Sequence, residues 1–226
     1  FESPKHKITM SNKNNKPFFN PFVGSKALAE GYQGKRILVL GNAHYCGACD
    51  VCGIHGLSKP KEMDECIDFT TNVVYDYLAA RRGEIDIQKW MKTFLCFERA
   101  LSGNTETTPE DSEEIWSRLL FANFIQTAYQ EEWDGRYSAE DYAASAPLIM
   151  SIVDEYQPDY IIAWGKREDC ITPWDYMPGD DWHELTEDTG YYVRGGKRIK
   201  MMRIKHPRVG FGSDYHIQAI EEFLNS

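Results

Sequence analysis

The stretch RILVLGNAHYC, Arg36 to Cys46, decides how the rest of the chain is read. Ile37 to Leu40 are four consecutive apolar residues with no polar side, a run too short for a helix of its own and typical of a strand buried on both faces. A glycine ends the run, and small and polar residues follow. Open α/β sheets carry their chemistry at such places, at the carboxyl ends of their strands. Yet Gly41 to Tyr45 holds no carboxylate, and it runs straight into CGACDVC, Cys46 to Cys52. The stretch is a catalytic turn, a metal site, or a site that has lost its reaction.

Outward from this strand the chain alternates. Phe69, Val73 and Tyr77 recur every four residues, which predicts a helix over Cys66–Arg82 closed by Gly83. A second helix fits Ile87–Leu101. Thr108-Pro109-Glu110-Asp111 reads as a third start, with a capping hydroxyl, proline in the first turn and acids behind it. Leu119–Phe124 and Tyr160–Trp164 are two more buried strands, and Tyr191–Ile204 reads as two strands joined at Gly195-Gly196. Ser138 with Asp141 forms a capping box; Pro147 predicts a kink or restart near Ser145. Ser213 caps a last helix that ends near Leu224. Strands alternating with helices of ten or more residues imply an α/β fold. Its expected form is three-layer αβα around a central, mostly parallel sheet of about four strands. Residues 1–35, with PFFNPF inside, read as an N-terminal arm, and 36–226 as a single domain with a Cys-rich loop at 44–66.

The chain has 226 residues, enough to bury one sizeable core, and a formal charge of −10 that is unevenly spread. Residues 1–36 carry seven Lys/Arg against two acids, and 194–208 carry seven against none. The stretch 37–193 carries eleven against thirty. Such blocks are either solvated faces or a dipole with one basic edge that can meet phosphates, for which Arg203, Lys205 and Arg208 are the candidates. The acidic body disfavours tight non-specific duplex binding, which scales with the phosphates neutralised. No apolar stretch is long enough for a membrane span, and the polar start lacks a signal-peptide core, so a cytoplasmic protein with no membrane partner is expected.

Four short segments, in order, resemble those of the uracil-DNA glycosylase superfamily: GNAHY (41–45), LLFANFIQT (119–127), IIAWG (161–165) and HPRVGFG (206–212). The resemblance implies a glycosylase-like fold, with DNA or a base or nucleotide as ligand. It implies that Asn123 reads the edge of a flipped base, that Gly41 and Tyr45 shape the pocket, and that His206 stabilises the departing base. The chemistry supports those types. A carboxamide offers a donor and an acceptor at fixed spacing, and an imidazole can donate to a developing anion. Where the family usually has its water-activating acid, this chain has Ala43, so Asn42 or His44 would have to position the water. Phe69 is a candidate stacking residue only by its nearness to the first motif; as one member of a helical stripe it is read first as core packing.

Cys46, Cys49 and Cys52 stand at two-residue spacing, and Cys66 follows after thirteen residues. Two sulfurs from one tight turn can reach a single ion, and a remote cysteine completes a tetrahedron, so structural zinc is expected here, with an iron–sulfur cluster as the alternative. Neither is required for base chemistry. Cys96 and Cys170 read as small buried hydrophobes. Three functions stay open: a divergent N-glycosylase (a hydrolase of DNA repair), a non-catalytic base, nucleotide or nucleic-acid binder, and a cysteine nucleophile at Cys46 activated by His44 or His55.

Overall fold

A computed structural model describes residues 16–46, 66–130, 138–166, 181–207 and 213–226. Nine strands are found there: β1 (Phe22–Val23), β2 (Ile37–Gly41), β3 (His44–Cys46), β4 (Leu119–Asn123), β5 (Ala128–Gln130), β6 (Tyr160–Lys166), β7 (Trp182–Glu184), β8 (Thr189–Arg194) and β9 (Lys197–Lys205). Five α-helices accompany them: α1 (Phe69–Arg81), α2 (Lys92–Ser102), α3 (Pro109–Ser117), α4 (Ala139–Tyr156) and α5 (Ser213–Asn225).

Seven strands form one mixed sheet in the order β1-β4-β2-β6-β9-β8-β7. The α/β class is as expected, but the sheet is larger and more mixed than a four-stranded one. β4, β2, β6 and β9 run parallel, while β1, β8 and β7 are antiparallel additions at the two sides. The additions have a plain cause. Phe22 of the N-terminal arm is buried and pairs with Phe121, and the Gly195-Gly196 turn folds β8 back along β9. β3 and β5 form a separate parallel pair, so the segment expected to be an irregular loop begins with a strand.

The apolar run Ile37–Leu40 is fully buried because both of its faces are covered. Ile37 and Val39 face a core built with α1, α2, α3 and α5, where Phe94, Trp116, Phe121 and Trp164 interlock at ring separations of 5.1–6.0 Å. Leu38 and Leu40 face a second core with Tyr142, Ile149, Ile152 and Val153 of α4. Each large apolar side chain buried in this way contributes about 1.5–3 kcal/mol.

The caps form as read. Thr108 accepts from the Asp111 N–H at 3.1 Å and Ser138 does so from Asp141, with both aspartates reaching back to the cap backbone. α4 passes through Pro147 as one helix, with no restart at Ser145. Its packed face offsets the single backbone bond that proline removes. The second helix is shorter than expected, since Lys89–Met91 is a 3-10 turn leading into α2. No helix among the described residues is long and apolar enough to cross a membrane.

Candidate functional site

Alternation along the strands places the site. In β4, Leu119, Phe121 and Asn123 point to the α1/α2 side, so the last residue of the strand delivers its carboxamide to the rim above that core. β2 and β4 pair with Gly41 opposite Asn123. The absence of a side chain at Gly41 gives Asn123 its room, because a Cβ there would lie 2.1 Å from Asn123 Oδ1. The exits of the two strands stay tied together: Phe124 N–H donates to Gly41 O at 2.9 Å, and Ile125 N–H to Asn42 O at 2.8 Å.

His44 meets that carboxamide. Asn123 Nδ2 lies 3.0 Å from His44 Nδ1 and 3.2 Å from Nε2, and His44 Nε2 lies 2.8 Å from Thr70 Oγ1. Nearly equidistant from both ring nitrogens, the amide nitrogen lies over the ring rather than in its plane, and Nε2 shares a hydrogen bond with the threonine hydroxyl. The ring stacks on Phe69 at 4.5 Å and 12°, with Phe19 edge-on at 4.8 Å. Only 3 % of the residue is exposed, and burial lowers its pKa to about 3, which makes it a neutral imidazole near pH 7.

Gln126 fixes the frame around this ring. Its Nε2 donates to Asn123 O at 2.9 Å, and its Oε1 accepts from the Phe19 N–H at 2.9 Å. Its own N–H reaches Ser145 Oγ of α4 at 3.1 Å. The arm, the β4 exit and α4 therefore converge on one buried glutamine.

Asn42 turns the other way, toward β6. Strand order places the change of direction between β2 and β6, where open α/β sheets form their crevice. Gly165 sits there at φ +107°, and a Cβ on it would come within 2.8 Å of Asn42 Nδ2. Asn42 Oδ1 is buried and has no hydrogen-bond partner among the described residues.

The remaining expected site residues lie elsewhere. Tyr45 alternates outward from His44 and is 42 % exposed. His206 follows β9 and is half-buried, with its ring 6.3 Å from that of Trp164. β2 and β6 lie between β9 and β4, and three strand spacings amount to about 14 Å, so His206 shares the rim with Asn123 but not its immediate surroundings. Arg203 is ion-paired with Asp188 at 2.7 Å and Glu187 at 3.1 Å, whereas Lys205 is exposed. Arg208, Cys49 and Cys52 lie outside the described residues, as does the side chain of Cys46. Cys66 is half-buried and packs against the Phe19–Ala128 cluster. Among the described residues no group of three metal-ligating side chains comes together.

Sequence reasoning picked out His44 and Asn123 but not Thr70, Phe19 or Gln126, and it read Phe69 first as a core residue. Gln126 carried one usable signal, since it lies inside the LLFANFIQT segment. Thr70 and Phe19 carried none beyond the aromatic cluster PFFNPF.

The fold and the site together define an α/β protein with a mixed sheet and a buried polar and aromatic cluster at the carboxyl edge of its parallel strands. Compared with models of known families and with curated proteins, the chain matches none.

Proposed function

We propose that the protein is a base-binding module on a uracil-DNA glycosylase-like fold, which holds a nucleobase, free or carried by a nucleotide or DNA, without cleaving its glycosidic bond. The observation that carries this reading is the pairing of Phe69, as a flat stacking surface, with the Asn123 carboxamide, as a polar hydrogen-bonding group within reach of both ring nitrogens, around one planar ring. Proteins that read an extruded base use this combination of stacking and edge recognition. Capture without cleavage is favoured by the first motif. Ala43 cannot orient water, and Gly41 to Tyr45 carries no carboxylate that could take its place. Excision remains the second reading, supported by the four ordered segments.

The test uses single- and double-stranded oligonucleotides containing uracil or hypoxanthine, with binding and abasic-site formation both measured. Binding that weakens about tenfold or more in Asn123→Ala, with no abasic sites, supports capture; tenfold corresponds to about 1.4 kcal/mol. Abasic sites that Asn123→Ala abolishes would replace it with a hydrolase that works without the usual acid. Binding that Asn123→Ala leaves unchanged removes both readings. Phosphate contact falls to Lys205 and Arg208, and to Arg203 only when it leaves its ion pairs. Binding should therefore weaken as salt rises.

Zinc on Cys46, Cys49, Cys52 and Cys66 belongs to the same proposal, with the iron–sulfur cluster as its alternative. A metal held by four protein ligands has no open coordination position and would anchor the segment that follows β3. One equivalent of zinc in purified protein, lost in Cys66→Ser together with thermal stability, is the expected outcome. Metal-free protein of equal stability would overturn it.

A further inference from the structure

We infer that His44 is the resident occupant of the slot between Phe69 and Asn123, so that the chain closes its own site with an imidazole and an outside ring enters in place of His44 rather than beside it. This rests on the proposed base-binding reading for the identity of the outside ring, but not for the occupancy itself.

Four contacts converge on one heteroaromatic ring. Phe69 stacks on one face, Phe19 approaches edge-on, Asn123 engages Nδ1 and Thr70 engages Nε2. These are the groups a protein offers a bound nitrogen heterocycle: a π-face, a carboxamide within 3.2 Å of both nitrogens and a hydroxyl on Nε2. The ring is the chain's own, yet it is held as a ligand would be. A residue serving only to fill this corner of the core would need no partners, whereas an imidazole needs both nitrogens satisfied once buried. Thr70 and Asn123, themselves 1 % and 7 % exposed, meet that need from two different elements.

The occupant defines the ligand class. The space held by an imidazole suits a neutral, planar, single-ring nitrogen heterocycle with a donor or acceptor on its edge. The segment that carries His44 makes the exchange feasible. Among the described residues β3 spans three residues and pairs only with the three described residues of β5, outside the seven-stranded sheet. A two-stranded pairing of this length is marginal by itself, so withdrawing His44 leaves the main sheet intact.

The experiment removes the occupant and offers a replacement. His44→Gly should lose thermal stability and recover part of it in millimolar imidazole, with saturation, while the wild type shows no such response. Folded His44→Gly that ignores imidazole overturns the inference. If His44→Gly folds poorly, the wild type alone decides through the ring-nitrogen NMR signals of His44. Displacement of those signals as free uracil is titrated in supports the inference, and uracil binding with the His44 signals unmoved overturns it.

A third arm separates this inference from the base-binding reading. Uracil should bind His44→Gly at least tenfold more tightly than wild type, and His44→Phe, which keeps the slot filled, should not bind it. Imidazole rescue without uracil binding supports the resident ring and removes the base-binding reading. Equal uracil binding by all three proteins overturns the resident ring and leaves base binding standing.

Discussion

Replacing Glu98 with alanine lowers the unfolding free energy by about 2–6 kcal/mol, since each of two buried donors left without an acceptor costs about 1–3 kcal/mol. Glu98 lies in α2, fully buried beneath the aromatic core. Its carboxylate accepts from Thr107 Oγ1 at 2.6 Å, Ser112 Oγ at 2.7 Å and Trp116 Nε1 at 3.1 Å. Arg81 of α1 closes the network, donating to Ser112 Oγ at 2.9 Å and to the Thr107 carbonyl. One side chain thus joins α1, α2 and the start of α3. Truncation would strand the Thr107 hydroxyl and the Trp116 indole N–H, while the Ser112 hydroxyl keeps the Thr108 carbonyl at 3.2 Å. Glu98→Gln keeps the shape and one acceptor oxygen, so about 1–3 kcal/mol is expected from it. Denaturant unfolding should show a lowered midpoint at an unchanged slope, and a loss below about 1 kcal/mol in the alanine variant would refute the network's role.

Glu98 was invisible in the sequence, whereas the buried strands were not. Ile37–Leu40, Leu119–Phe124 and Tyr160–Trp164 are legible because a strand covered on both faces must be apolar throughout. Thr108 with Asp111 and Ser138 with Asp141 are legible because a helix cap is a local bargain between neighbours. β1, β3, β5 and β7 are two or three residues long, and their pairing is decided by distant partners, as Phe22 is by Phe121. Pro147 misled because the tertiary face of α4 overrides a local penalty.

The site divides along the same line. Gly41, Asn42, His44 and Asn123 stood out because a strand end announces a rim. Phe69 shares its spacing with Val73 and Tyr77, so periodicity alone could not separate a stacking ring from a packing one. Phe19 and Gln126 are 107 residues apart, and a single hydrogen bond brings them into one frame. No local pattern encodes such a contact. Nor did charge reveal that Arg203, counted in the basic edge, is paired with Asp188 and Glu187.

Gly41→Ala is expected to damage the site more than the fold, and through Asn123. The new Cβ would lie 2.1 Å from Asn123 Oδ1 and 3.3 Å from Phe121 Cζ. Phe121 can yield by a few tenths of an ångström, but the carboxamide must move outright. Moving it breaks the contact with His44. Overpacking of this kind costs about 1–3 kcal/mol. Any ring that depends on the carboxamide edge should bind about 10–100-fold more weakly, or about 1.4–2.8 kcal/mol. A double-mutant cycle isolates the cause. In Asn123→Ala the obstructing amide is gone, so adding Gly41→Ala should cost little more, and the two effects should fall well short of additive. Additive losses would mean that the alanine methyl acts on the strand itself. The absence of a side chain at position 41 would then serve the sheet rather than the slot.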